Sequence, residues 1–155
     1  MTQPSRPASL AARPGLLGGK AGMGMRCRGI RGATTVDVNT PEAILEATSE
    51  LLAEIMRAND LLIDDVASGY FTTTRDLNAE FPAVAANKLG WTDVALLCGH
   101  EMEIPGSLPM CLRILLHVNT EKAARELTHV YLRGATVLRP DRTFTNDEVT
   151  EAKSP

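Results

Sequence analysis

Met110-Cys-Leu-Arg-Ile-Leu-Leu-His-Val-Asn119 has the period-two pattern of a long β-strand with two unlike faces. Side chains alternate across a strand, so Leu112, Ile114, Leu116 and Val118 form a wholly apolar face, while Cys111, Arg113, Leu115 and His117 form a mixed one. The apolar face calls for helices packed upon it. Arg113 then points the other way, in an apolar run where a charge is expensive unless it finds a partner. The sheet built around this strand therefore needs a second cover for a semi-polar face.

Working outward, Arg26-Cys-Arg-Gly-Ile-Arg-Gly-Ala-Thr-Thr35 places three arginines and two glycines on one extended segment, with a strand expected over Cys27 to Thr34. Arginine there is a permanently charged, planar, five-donor group suited to carboxylates, so Arg31 and Arg113 together point to a small dianionic ligand. Arg28 alternates away from Arg31 and reads as a structural or rim ion-pair residue. Thr40 and Pro41 read as N-cap and first helical residue. Ile44, Leu45, Leu51, Leu52, Ile55 and Met56 then recur at the helical period, to an end near Asn59.

Beyond that helix, Asp64-Asp65 turns the chain into a strand over Val66 to Thr73, followed by a polar loop, Thr74 to Glu80. Pro82 starts a short helix that Gly90 stops. Thr92 to Cys98 reads as a buried strand, Gly99 to Ser107 as a connection, and Glu121 to Leu127 as a short helix. Thr128 to Leu138 reads as a final strand with Val130 and Leu132 on one face and His129, Tyr131 and Arg133 on the other. The order β-α-β-α-β-β-α-β gives an α+β fold: a mixed β-sheet with helices on one face. In a chain this short, other subunits are the expected cover for the second face.

The bulk properties bound the function. A chain of 155 residues with 44% hydrophobic and 23% charged residues supports one core rather than two ordinary domains. A formal net charge of -3 with no long basic run argues against nucleic acid. Cys27, Cys98 and Cys111 are odd in number and form no C-x-x-C pair, which argues against a disulfide framework or a structural zinc and fits a reducing cytoplasm. No apolar run reaches the roughly 20 residues of a membrane span. Residues 1–24, rich in Pro, Gly, Ser, Ala and Arg, are expected as a disordered extension, with Met25 an alternative start; residues 25–142 form the domain and 143–155 a flexible tail.

Six separated motifs in order make the segment from about Met25 to Arg142 resemble the monofunctional chorismate mutases of the trimeric pseudo-α/β-barrel, or AroH, class. They are Arg28-Gly-Ile-Arg-Gly-Ala-Thr-Thr-Val36, Asp76-Leu-Asn-Ala-Glu-Phe-Pro-Ala83, Gly90-Trp91, Cys98-Gly-His-Glu-Met102, Cys111-Leu-Arg113, and His129-Val-Tyr-Leu132 with Val137-Leu-Arg-Pro140. The resemblance implies a homotrimer with active sites at the subunit clefts. It implies the Claisen rearrangement of chorismate to prephenate in phenylalanine and tyrosine biosynthesis, a unimolecular step without covalent intermediate, proton transfer, metal or cofactor.

By this likeness Arg113 stands beside the ether oxygen, where negative charge builds in the transition state. Glu101 and the thiol or backbone of Cys98 serve the ring hydroxyl. Arg31 and Tyr131 bind the side-chain carboxylate, Arg139 approaches the ring carboxylate, and Phe81, Ala83 and Leu138 form apolar walls. Some relatives carry a basic residue just after Phe-Pro-Ala, where this chain has Val84. The expectation stands on Arg113 facing a crevice rather than being neutralised by a neighbouring acid.

Plainer readings compete. Glu101 alone is a strand-end acid, and His100-Glu101 does not extend to H-E-x-x-H because residue 104 is Ile. Cys98 alone is an ordinary buried thiol. His100, His117 and His129 lack metal-ligand spacing and read as surface or satisfied sheet histidines. Gly15-Leu-Leu-Gly-Gly-Lys20 is not a phosphate loop, since the P-loop spacing and its strand and helix are missing. The rival to an enzyme is a non-enzymatic trimeric module that binds a small carboxylate for regulation, using the same two arginines.

Overall fold

The computed structural model describes residues 24–140. Five strands form one sheet: β1 (Arg26–Thr35), β2 (Val66–Thr73), β3 (Ala95–His100), β4 (Cys111–Thr120) and β5 (Val130–Tyr131). Their spatial order is β3-β2-β4-β1-β5. β4 runs antiparallel to both β1 and β2, whereas β3 is parallel to β2 and β5 is parallel to β1, so the sheet is mixed. The N-terminal extension expected over residues 1–24 falls, apart from Gly24, outside the described residues. The tail expected over 143–155 lies outside them too.

α1 (Pro41–Asn59) covers one face. It begins where the Thr40 hydroxyl accepts the Ala43 N–H at 3.3 Å and Pro41 sets the first helical φ. It ends at Asp60, whose φ of 54° closes the last turn in the left-handed region. The stripe Ile44, Ala47, Leu51, Leu52 and Ile55 is fully buried against Ile30, Phe71, Leu112, Leu116 and Val118. Each large aliphatic side chain so placed stabilises the fold by roughly 2 kcal/mol relative to exposure. Gly32 lets helix and strand approach closely, because a Cβ there would stand 2.6 Å from Ile55 Cδ1.

A second, shorter helix, α2 (Ala83–Lys88), packs Ala85 and Ala86 inward beside β3. Asn59 is buried at the end of α1, where its Nδ2 donates to the Ile55 and Thr128 carbonyls at 2.9 Å each and its Oδ1 accepts the Thr128 N–H at 2.7 Å. This amide fastens the helix to the segment entering β5. Among the described residues, no helix is long and apolar enough to cross a membrane.

Four local readings change. The final strand is only Val130–Tyr131, because Arg133 takes φ 49° and starts a 3₁₀ turn over Arg133–Leu138. Thr35 Oγ1 accepts the Gly134 N–H at 3.0 Å, and the Arg133 guanidinium pairs with Glu50 on α1 at 2.6 Å, so Arg133 turns to the helix side rather than sharing a face with Tyr131. β3 starts at Ala95 instead of Thr92 and, as an edge strand, leaves Ala95 and Leu97 exposed. The helix expected at Glu121 to Leu127 is one 3₁₀ turn, Ala124–Glu126, in which the Glu126 carboxylate accepts the Ala123 N–H at 2.6 Å. Arg28 lies opposite Arg31 on β1 as alternation requires, and its buried Nε has no hydrogen-bond partner among the described residues.

Candidate active site

The face opposite α1 gathers most of the expected site residues. Tyr131, Ala33, Arg113, Thr72 and Gly99 are successive cross-strand partners, so a single row crosses β5, β1, β4, β2 and β3. Two residues along each strand lies a parallel row on the same face: Arg31, Leu115, Tyr70 and Leu97. The alternation that sends Leu112 and Ile114 into the core is what sets Arg113 in the middle of this face. Ala33, with no bulk, sits between Tyr131 and Arg113.

The 3₁₀ turn after β5 walls one side. Ala135 and Leu138 pack on Ala33 and Tyr131, which brings Leu138 and Arg139 over the two rows. The resulting cleft of about 330 Å³ is lined by Arg31, Arg113 and Arg139, by Tyr70 and Tyr131, and by Thr72, Leu115 and Leu138. That is a small-molecule volume. Both tyrosines of the chain and three arginines meet there, which suits a ligand with two carboxylates. Arg31 is placed by its backbone, whose N–H donates to His129 Nδ1 at 3.1 Å.

Arg113 has an acid beside it. Glu101 Oε1 lies 3.1 Å from Arg113 Nε and also accepts the Thr72 hydroxyl at 2.8 Å. This acid is itself one of the expected site residues, reaching in from beyond the end of β3, where its N–H donates to the Thr73 carbonyl at 3.0 Å. The pair leaves the Arg113 side chain 45% exposed in the cleft, so the cation is oriented rather than buried away from ligand. Cys111, two residues before Arg113 on the same face, is buried, and burial pushes its thiol up despite the opposing pull of Arg113.

Within one chain the expected residues divide. Arg31, Arg113, Tyr131, Leu138 and Arg139 share the cleft, and Glu101 joins them through Arg113. Cys98 does not, because it pairs with Phe71 and so faces the helix side of the sheet. It lines a second concavity of about 400 Å³ with Phe81, Pro82, Leu77 and His100. Ala83 packs against the helix-side core beside it. Burial pushes the Cys98 thiol up, against a hydrogen bond with the Ala83 backbone, so it is a neutral group at ordinary pH rather than a thiolate. Phe81 is 69% exposed at the rim of that concavity.

Three contributors escaped the sequence reading. Thr72 and Tyr70 alternate with buried Phe71, a period-two signal that places them on the Arg113 face once β2 is paired with β4. His129 was read as a satisfied sheet histidine, and its nitrogen does stand in for a strand carbonyl, but its hold on Arg31 depends on how β1 and β5 pair. The other two histidines are also satisfied, His117 by Ser68 at 3.0 Å and His100 by Thr73 at 3.2 Å.

Comparison with known proteins converges on one family. The family model for chorismate mutase type I matches residues 27–142. Chorismate mutase AroH of Thermus thermophilus is 48% identical over 115 residues, covering 74% of this chain and 94% of that protein. Chorismate mutase AroH of Bacillus subtilis (strain 168) is 42% identical over 124 residues, covering 79% and 98%. The solved chorismate mutase from Clostridium thermocellum superposes with a TM-score of 0.70 at 50% identity, covering 71% of this chain and 98% of that one. With its fold and its sequence in agreement, the chain belongs to the type I chorismate mutase family.

Proposed function

We propose that this isomerase converts chorismate to prephenate in the Arg113 cleft, and that its active site is completed between subunits of a homotrimer. The reaction is a Claisen rearrangement in which the ether C–O bond breaks as a C–C bond forms within the same molecule. No proton is transferred and no covalent enzyme intermediate is needed. The protein contributes by holding the enolpyruvyl side chain over the ring and by stabilising charge that separates when C–O cleavage runs ahead of C–C formation.

The observation that carries this reading is the position of Arg113: a guanidinium oriented by Glu101, half-exposed, at the centre of a row between Ala33 and Thr72, with Tyr131 beyond Ala33. Placed at the ether oxygen, it meets negative charge that is larger in the transition state than in chorismate, and so lowers the barrier rather than only tightening binding. Arg31 and Tyr131 take the side-chain carboxylate, Arg139 the ring carboxylate, and Leu138 an apolar edge.

The division of the expected residues between two concavities supports a shared site. Leu97 and Tyr70 leave apolar area open on the cleft face, and Phe81 does so at the rim of the second concavity. In a ring, the second concavity of one subunit closes over the cleft of the next, bringing Phe81, Ala83 and Cys98 to the ligand and covering the face that one chain leaves bare. The test is purified protein with chorismate: its ultraviolet absorbance should decay without added metal or nucleotide. Full rate retained by Arg113→Ala would overturn the assignment.

A further inference from the structure

We propose that Thr72 is a positioning residue for catalysis, fixing the carboxylate of Glu101 and through it the guanidinium of Arg113; this rests on reading the Arg113 cleft as the active site. Thr72 lies on β2 directly opposite Arg113 on β4 and opposite Gly99 on β3. Its Oγ1–H donates to Glu101 Oε1 at 2.8 Å, the same oxygen that stands 3.1 Å from Arg113 Nε. One carboxylate oxygen thus receives a hydroxyl from one side and a cation from the other.

Glu101 needs such a fixed point. It follows the last residue of β3, and among the described residues its one backbone tie to the sheet is its own N–H, donating to the Thr73 carbonyl. A glutamate on a strand end has three rotatable bonds, and the ion pair alone allows the carboxylate to swing with the arginine. The Thr72 hydroxyl comes from a β-branched side chain with restricted χ1 on a central strand, so it is preorganised. Gly99 puts no side chain beside it; the place is taken by the Tyr70 hydroxyl, 2.6 Å from where a Cβ at residue 99 would stand. The hydroxyl, the acid and the cation form a chain that sets the direction of Arg113 before substrate arrives.

Thr72→Val removes the hydroxyl and keeps the shape and strand preference, whereas Thr72→Ser keeps the hydroxyl. In the native oligomer with chorismate, Thr72→Val is expected to lower kcat about tenfold with KM within about twofold, and Thr72→Ser to restore kcat to within about twofold of the unaltered protein. An unchanged kcat in Thr72→Val, or an equal loss in both variants, overturns the proposal. The Arg113 Nε–H resonance of arginine-labelled protein, assigned by its disappearance in Arg113→Lys, gives a readout independent of turnover. It should shift in Thr72→Val and stay in place in Thr72→Ser; a resonance unmoved in Thr72→Val overturns the proposal. If the unaltered protein does not consume chorismate, the proposed function falls while this resonance still decides the role of Thr72.

Discussion

Glu101 follows the end of β3 and Arg113 lies on β4, yet the acid's Oε1 lies 3.1 Å from the cation's Nε, making the central charge of the cleft half of an oriented pair. A lone arginine on a sheet face would sample many rotamers. Paired from one side, it keeps its remaining donors for a ligand.

Removing that cation should be the most damaging single change. Arg113→Ala is expected to lower kcat by 10² or more, about 3 kcal/mol of transition-state stabilisation, with a smaller change in KM. Arg113→Lys should recover little, because an ammonium has no second arm to reach both Glu101 and an ether oxygen. Steady-state chorismate consumption checks both.

A site shared between subunits predicts complementation. Arg113→Ala disables the cleft, and Phe81→Asp disables the second concavity. Each variant should be inactive alone, and random reassembly of an equal mixture should restore about a quarter of the sites, since each needs two unaltered halves from different chains. Activity that stays absent after confirmed subunit exchange would contradict a shared site.

The Asn59 staple should matter for stability and not for chemistry. Asn59→Leu leaves the Thr128 N–H and C=O without partners in a part-buried setting, at a cost of about 2–4 kcal/mol. Urea unfolding at fixed protein concentration should show the loss, with kcat of the folded fraction unchanged.

Between about pH 6 and 9 the rate should be nearly flat. Burial pushes the Cys98 and Cys111 thiols up, away from that window, and the proposed steps move no proton. A sharp bell in kcat/KM would contradict the mechanism.

Acid should instead act on stability. Burial alone would raise the Asp76 carboxyl, but hydrogen bonds from the Thr74 hydroxyl and from the Met110 N–H at 2.9 Å outweigh it and hold the group below its ordinary value. A depressed folded value means a contribution present above the unfolded value, near pH 4, and lost as pH falls through the folded one. Asp76→Asn should flatten that part of a stability profile followed by circular dichroism, because the bond to Met110 at the entrance to β4 no longer depends on charge.

Local pattern alone determined much of this protein. The two faces of β4, the capped start of α1 and the limits of β2 all follow from short-range alternation, helical period and turn chemistry, each of which acts within a few residues. Those rules also place Arg113 opposite the core and Arg28 opposite Arg31. What they do not carry is register between distant segments. The alignment of Tyr131, Ala33, Arg113 and Thr72 in one row depends on strands up to about a hundred residues apart, and a slip by one residue would send each to the other face. Likewise Cys98 stands near Glu101 in sequence but across the sheet from Arg113, because three residues and a strand end separate a helix-side position from one that reaches the cleft. The short β5 and the turn of Arg133 toward Glu50 were decided by a hydrogen bond and an ion pair to elements far away in the chain, which no local window contains.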